Sequence, residues 1–427
     1  MQAMGLADWL AQLERLHPAE IDMGLERVAE VASCLDVLDP APLVFTVTGT
    51  NGKGSTCAAL DSLLRHAGLR SGCYASPHLV QYNERVSIDG QPVTDADLCA
   101  AFAAIDQARG AISLTYFEFG TLAALWLFKR AGLDAVVLEV GLGGRLDAVN
   151  VVDANVAVVT SIGLDHSDYL GHDRDSVGYE KAGILRQGRP LVCSEIDLPP
   201  RFVQRVNELQ VGMLQRGREY GWTPGREGSW TLFGKGGERA TRHIEMPPVR
   251  LPRDNLCSAV QAFWAAGLDM PDETIAAALV DAFVPGRLDH RTLHWNGQVR
   301  ELCLDVGHNP QAAAFLSAHL AARPARRIAV FGLLADKDLE GILKQLSRQF
   351  DSWAVAPLPS PRSHDAQRLA QQLSAGGETA MAFGSIGEAI AYQLDNSPAD
   401  TEIVIFGSFF SVSEAILWLN DQTGGDR

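Results

Sequence analysis

Residues 43–55, LVFTVTGTNGKGS, constrain this chain more than any other stretch. The apolar run Leu43, Val44, Phe45 and Val47 predicts a buried strand, and the spacing of Ala58, Leu60, Leu63, Leu64 and Ala67 predicts a helix behind it. Between them stand Gly49, Thr50, Asn51, Gly52, Lys53, Gly54 and Ser55. A glycine-rich turn between a strand and a helix lets main-chain N–H groups reach phosphate oxygens, with the partial positive charge of the helix start behind them. Lys53 adds a full, mobile charge for the outer phosphates. The spacing departs from the common phosphate loop, because two residues separate Gly49 from Gly52-Lys53 and Gly54 precedes Ser55. The competing reading is a tight turn carrying one surface lysine; the strand before and the helix after favour an ATP site.

A chain of 427 residues exceeds what one core usually serves, so two domains are expected. Its net charge of −16 argues against general nucleic-acid binding, which needs a basic footprint. An anionic small substrate stays compatible, since local basic residues set the field in a cleft. The seven cysteines, at 34, 57, 73, 99, 193, 257 and 303, form no C-x-x-C pair and fit buried thiols in a reducing compartment. The start, MQAMGLADWLAQLERLH, lacks the basic flank and apolar core of a secretion signal, and no apolar run approaches membrane-spanning length. The expectation is a cytoplasmic protein with no membrane partner.

Helical spacing marks 6–16 and 24–35 ahead of the loop, then 95–109, 118–130, 255–266 and 272–282. Strands are predicted at 71–75, 135–140, 155–161 and 190–194. Such alternation implies a parallel, doubly wound sheet of phosphate-loop type. Three short segments with aromatics and threonines, 221–223, 229–233 and 240–245, predict a small antiparallel appendage. Pro285-Gly286-Arg287 breaks the pattern, giving domains of 1–287 and 288–427. Beyond it, strands at 299–306, 328–332, 352–356, 379–383 and 402–407 predict a smaller, Rossmann-like α/β domain, and residues 424–427 a frayed tail.

Strand-end loops are where open α/β sheets place ligands. Glu139 closes the strongly apolar AVVLE run, where a carboxylate is costly unless paired or on a cation, so it is a magnesium candidate; the alternative is a strand-end glutamate reaching solvent. Ser76, before Pro77, offers a hydroxyl at the same edge. His166 beside Asp165 reads equally as a metal ligand or a structural histidine. Lys181 by itself reads as half of a surface pair with Glu180. Phe117 reads either as a stacking platform for a flat ring or as core.

Ten segments together carry a resemblance: TGTNGKGS (48–55), ASPHLVQYNERV (75–86), TYFEFGTLAALWLF (115–128), LEVGLGGRLDAVN (138–150), SIGLDHSDYLG (161–171), EKAGIL (180–185), PGR (285–287), DVGHNPQAA (305–313), FGLLADKD (331–338) and FGSFFSV (406–412). In this order, over nearly the whole chain, they closely resemble the bacterial bifunctional dihydrofolate synthase/folylpolyglutamate synthase family within the Mur ligase superfamily. The resemblance implies an ATP-dependent ligase that turns a substrate carboxylate into an acyl phosphate, which the amine of L-glutamate then attacks. The implied substrates are dihydropteroate and reduced folates, the implied state a monomer.

Carried over by motif, Thr50, Asn51, Gly52, Lys53, Gly54 and Ser55 hold the ATP phosphates. Ser76 and Glu139 hold one Mg²⁺ and His166 a second. Lys181 matches the lysine that the family carbamylates with CO₂, which makes it an anionic metal ligand and joins it to Lys53 and His166 in catalysis. Asn255, Arg287 and Asp305 contact the nucleotide; His308 and Ser408 contact glutamate, without His308 being assigned as the base for its amine. Asp22, Gly24, Leu25 and Arg27, in IDMGLERV (21–28), resemble the segment lining a dihydropteroate pocket, and Pro77, Phe117 and Glu118 fall beside the folate site. One departure is Val149, where relatives usually carry a hydroxyl. The alternatives are a ligase with only one of the two activities, or a nucleotide-dependent switch or transport ATPase. A dinucleotide-binding dehydrogenase fails because the first turn lacks G-x-G-x-x-G.

Overall fold

The computed structural model describes residues 4–19, 21–236 and 240–422; the expected frayed tail at 424–427 lies outside them. The chain divides into two compact units, Met1–Phe283 and Val284–Arg427. In the first, β1 (Leu43–Thr48), β2 (Ser71–Tyr74), β3 (Val86–Ile88), β4 (Gln91–Pro92), β5 (Ala135–Glu139), β6 (Val156–Val159), β7 (Pro190–Cys193) and β8 (Gly212–Gln215) form one sheet. Its order is β4-β3-β2-β5-β1-β6-β7-β8. The pairs from β2 to β8 are parallel, and β3 and β4 add an antiparallel edge.

The continuous apolar character of β1 and β5 follows from cover on both faces. Val44, Val136 and Leu138 join a core with Phe102, Phe119, Leu122 and Phe128 of the helices Asp95–Arg109 and Tyr116–Ala131. The helix Lys53–His66 packs on the other face, beneath Arg253–Ala265. Both helices of the first pair begin at a threonine that accepts from the third helical N–H, Thr94 from Asp97 and Thr115 from Glu118. A separate sheet, β9 (Gly221–Pro224), β10 (Trp230–Gly236) and β11 (Ala240–Met246), is antiparallel, as its alternating aromatics predict.

In the second unit, β12 (Asp289–Trp295), β13 (Gln298–Asp305), β14 (Arg326–Phe331), β15 (Ser352–Val355), β16 (Ala380–Ala382) and β17 (Thr401–Phe406) are ordered β12-β13-β17-β14-β15-β16. Only the β12–β13 pair is antiparallel, and Phe331, Trp353, Val404 and Phe406 centre the core. The sequence reading omitted β3, β4, β8 and β12. Of the seven cysteines, five are buried, Cys99 is half-buried and Cys34 is exposed, all of them unbridged. No described helix is long and apolar enough to cross a membrane.

A polar knot fastens the second unit. His319, in the last turn of the helix Pro310–Ala321, lies Nε2 to Nε2 3.0 Å from His290 on β12. Arg323 donates to His290 at 3.0 Å, and Arg327 donates to Glu402 at 2.7 Å. Burial, then the neighbouring His290 and Arg323, lowers His319 from the usual imidazole value to about 4. The unfolded chain therefore binds a proton here that the folded chain refuses, so stability is lost as pH falls from about 6.5 towards 4. His319→Asn is expected to flatten that part of the stability profile, read as the difference between variant and wild-type denaturant midpoints from pH 4 to 7.

Candidate functional site

The loop after β1 is built by close approach to the end of β6. A Cβ on Gly49 would stand 1.8 Å from Thr160 Oγ1, and one on Gly52, where φ is +90°, would stand 2.5 Å from Asn255 Oδ1. Only glycine lets the chain pass there. Hydroxyls then fasten the loop main chain. Thr160 Oγ1 donates to Asn51 O at 2.6 Å, and the Asn51 N–H donates to Ser161 Oγ at 2.9 Å. The Thr50 N–H donates to Ser161 O at 3.0 Å. Lys53 opens the helix, and its ammonium donates to Gly49 O at 2.9 Å. Gly54 and buried Ser55 follow in the first turn, leaving the helix N-terminus directed at the space above the loop.

The strand β5 beside β1, with the loop that follows it, delivers charge to the same edge. Glu139 ends β5 with 4% exposure, so it does not reach solvent; its Oε2 accepts from the Ser76 N–H at 3.3 Å. That oxygen would lie 3.6 Å from a Cβ on Gly54, which puts Glu139 against the start of the phosphate-loop helix. Asp147 is buried too, and its carboxylate accepts from the Leu142 N–H at 2.8 Å and the Val149 N–H at 3.0 Å. Burial raises it to about 6 against those main-chain donors and Lys53. Because Val149 serves through its N–H, Asp147 is held without a hydroxyl at that position.

Lys181 is 2% exposed, at the end of the helix Arg174–Lys181. It does not pair with Glu180, which instead takes Arg145 at 2.9 Å. Burial, then the Lys53 charge, lowers Lys181 to about 7, with Asp165 opposing. Lys53, Asp147, Asp165 and Lys181 therefore share one electrostatic neighbourhood. His166 sits on the adjoining loop with φ +51°, half exposed, its Nε2 3.9 Å from Asp165 Oδ2. Among the described residues no three His, Cys, Asp or Glu side chains make a metal cluster. The donors present suit a hard cation held by one or two carboxylates, hydroxyls and phosphate oxygens, as magnesium prefers.

A second group stands beside this edge. Arg27 donates to Asp22 Oδ2 at 2.7 Å and to Glu118 Oε1 at 3.0 Å, tying the segment with Gly24 and Leu25 to the helix Tyr116–Ala131. Glu118 is buried, and its other oxygen accepts from the Thr115 N–H at 2.7 Å. Phe117 lies 6.0 Å from Tyr74 at the end of β2, and its ring would meet a Cβ on Gly141 at 2.5 Å. It is partly buried, so one side is packed. Pro77 follows Ser76 in the loop after β2.

In the second unit, Arg287, Asp305, His308 and Ser408 gather at the carboxyl ends of β13 and β17. Buried Asp305 accepts from the Leu288 N–H at 3.1 Å and the Gly307 N–H at 2.8 Å. Burial raises its pKa, while Arg287 acts to lower it. His308 Nδ1 lies 2.9 Å from Val306 O, so that nitrogen carries the proton. Arg287 and His308 both face the Phe409 ring, at 6.0 and 6.1 Å, and Ser408 Oγ accepts from the Phe410 N–H at 3.2 Å. Sequence reasoning passed over Thr160, Ser161 and Asp147 as site residues. The signal for the first two was a pair of hydroxyls directly after a strand.

Two domain families match the chain: the Mur ligase middle domain over residues 47–194, and the Mur ligase glutamate ligase domain over residues 286–409. It is 43% identical to the dihydrofolate synthase/folylpolyglutamate synthase of Escherichia coli (strain K12), covering 100% of this chain and 98% of that protein. Its structure resembles Escherichia coli FolC in complex with DHPP and ADP, with TM-score 0.91, 42% identity and 99% of each chain covered. A bifunctional folylpolyglutamate synthase/dihydrofolate synthase with Mn, AMPPNP and L-glutamate bound gives TM-score 0.88 and 43% identity over 98% of each chain.

The loop geometry has a direct consequence. Gly52→Ala forces a Cβ to within 2.5 Å of Asn255 Oδ1 at a left-handed φ, so the loop must shift. AMPPNP affinity, measured by calorimetry, is expected to fall by roughly tenfold or more, the equivalent of the ~1–3 kcal/mol such strain costs. Wild-type affinity in the variant would refute the loop assignment.

Proposed function

The chain belongs to the dihydrofolate synthase/folylpolyglutamate synthase family of Mur ligases and is an ATP-dependent ligase; we propose that it joins L-glutamate to dihydropteroate and to tetrahydrofolate through an acyl phosphate. The observation that carries this reading is the meeting, at one sheet edge, of a phosphate loop, the buried carboxylate Glu139 and the buried amine Lys181.

A carboxylate is a poor electrophile at neutral pH. Its oxygen attacks the γ-phosphoryl group of ATP, ADP leaves, and the acyl phosphate now carries a good leaving group. The glutamate amine adds to the carbonyl and phosphate departs from the tetrahedral intermediate. Positioning and charge neutralisation are the protein's share. The N–H groups of Thr50–Ser55 and Lys53 take the phosphates, and Asn255 braces the loop at Gly52. Glu139 and Ser76 would hold one Mg²⁺, and His166 with Lys181 a second. Bound there, such ions would supply positive charge against the phosphate oxygens. An ammonium at Lys181 is disfavoured by burial and by Lys53; lowering to about 7 leaves a share of neutral amine able to add CO₂. The carbamate that results is an anion where an ammonium was opposed.

From the second unit, Arg287 and Asp305 contribute nucleotide contacts, while His308 and Ser408 contribute glutamate contacts. On the pterin side, Asp22, Gly24, Leu25, Arg27, Pro77, Phe117 and Glu118 line the folate pocket. The Arg27 clasp on Glu118 supports the bifunctional reading over a ligase of one activity, because it fixes the IDMGLERV segment in place. The working form is a cytoplasmic monomer.

ADP release with dihydropteroate and glutamate, added singly and together, tests this. ADP is expected only with both, one per glutamylated product; steady hydrolysis without either would mark a switch ATPase. Lys181→Ala is expected to lose ligation while keeping its circular dichroism and melting temperature, and a wild-type rate would remove the carbamate assignment.

A further inference from the structure

Between β6 and the helix Arg174–Lys181 the chain makes an excursion, residues 163–173, whose ends are tied together. Arg174 Nε donates to Ile162 O at 3.0 Å, and the Ile162 N–H donates to Glu195 Oε2 at 2.9 Å. Both main-chain groups of one residue are thus held by an arginine and a glutamate that themselves pair at 3.4 Å. Arg174 is anchored further by Asp197, through its side chain at 2.6 Å and its carbonyl at 2.8 Å. The next residue is gripped from the opposite direction. The Gly163 N–H donates to Thr50 Oγ1 at 2.9 Å, and the Thr50 hydroxyl donates to Gly163 O at 2.9 Å. A short excursion with its ends this close is an Ω-loop.

The second half of the loop is anchored by a helical turn, Ser167–Leu170, whose Leu170 is 5% exposed and belongs to the core of the first unit. The first half has no such anchor: Leu164 is 57% exposed, so the order of 163–166 leans on the polar clamps at its base. On the tip stand Asp165 and His166. The helix that begins at Arg174 ends at Lys181, whose amine feels Asp165. Arg174 is therefore both the closure of the loop and the head of the helix bearing the reactive lysine.

We propose that Arg174 and Glu195 are positioning residues of the ligase: through the main chain of Ile162 they hold the loop 163–173 shut, so that His166 is presented to the metal that Lys181 approaches from the far end of the same helix. This rests on the metal reading of His166 and Lys181 given above. Loss of the clamp frees Ile162 while Thr50 still holds Gly163, so the expected loosening falls on the His166 side of the site.

Arg174→Met keeps the stem and removes the donors, Arg174→Lys keeps one donor, and Glu195→Ala removes the acceptor for Ile162. Three measurements separate a positioning role from a structural one: amide hydrogen exchange over 164–171, melting temperature, and the Mn²⁺ concentration giving half-maximal ligation at saturating ATP, dihydropteroate and glutamate. Arg174→Met and Glu195→Ala are expected to exchange faster in the loop and to need about tenfold more Mn²⁺ or beyond, the usual scale for residues that orient a metal ligand. Melting is expected to stay as in wild type, with Arg174→Lys intermediate in exchange and Mn²⁺ demand. Unchanged exchange overturns the proposal. So does faster exchange with an unmoved Mn²⁺ titration, or a lowered melting temperature with neither change. A wild-type chain that makes no glutamylated product sinks the ligase reading itself, and the positioning role with it, before any variant is made.

Discussion

Glu139 and Lys181 are both withdrawn from water at one edge of the large sheet. Charges buried in this way are costly, by several kcal/mol per ion in real proteins. A stable fold tolerates that only where something else completes the site. For Lys181 the cost shows as an amine lowered to about 7, disfavoured further by Lys53. The polar surroundings of the phosphate loop make sense as a response to the same constraint. Under the proposed function, a triphosphate would complement Lys53 and the helix start, and a hard cation the Glu139 carboxylate.

Strand register is what makes the arrangement possible. In the parallel pairing Val47 stands level with Glu139, and Thr48 with Val159. Gly49 consequently meets Thr160, one step beyond the sheet on each strand. Val136 and Leu138 point to the face covered by the helices at 95–131, so Glu139, one residue on, points to the face of the phosphate-loop helix. Sliding β5 by one residue would turn the carboxylate into the opposite core. The apolar run Ala135–Leu138 would tolerate such a slip on either face, so the carboxylate itself, costly in the helix-covered core, is what opposes it.

Strands buried on both faces were plain in the sequence, because a continuous apolar run bounded by glycine or polar loops admits few other readings. Apart from the short β3, the strands that escaped were edges. β4 and β12 each pair with one neighbour only, and β12 alternates buried and exposed positions with His290, Thr292 and His294 among them. Yet each hairpin carried its own mark. Asp89-Gly90 and Asn296-Gly297 join their strands with two residues at positive φ, a turn those dipeptides favour. The signal was local turn chemistry rather than hydrophobic pattern. At the site the division is similar. The phosphate loop and Glu139 announce themselves locally, whereas Lys181 does not. Its apparent partner Glu180 is taken by Arg145, 35 residues away in sequence, a fact that only the folded chain supplies.

A net charge of −16 sits uneasily with phosphate and carboxylate ligands until the cations are placed. Lys53 is half-buried at the edge of the sheet, at the start of its helix, while acidic groups such as Asp153 and Asp197 are exposed. Interior charges act across a poorly screened medium, and exposed ones separated from the site by more than about 8–10 Å of salt solution hardly act at all. One half-buried lysine and a helix start can therefore set the field that a triphosphate meets in a chain whose net charge is negative. The same reasoning explains why net charge argues against general nucleic-acid binding but says little about a small anionic substrate: the first needs a broad basic face, the second only a few ångströms of low dielectric with the right sign inside.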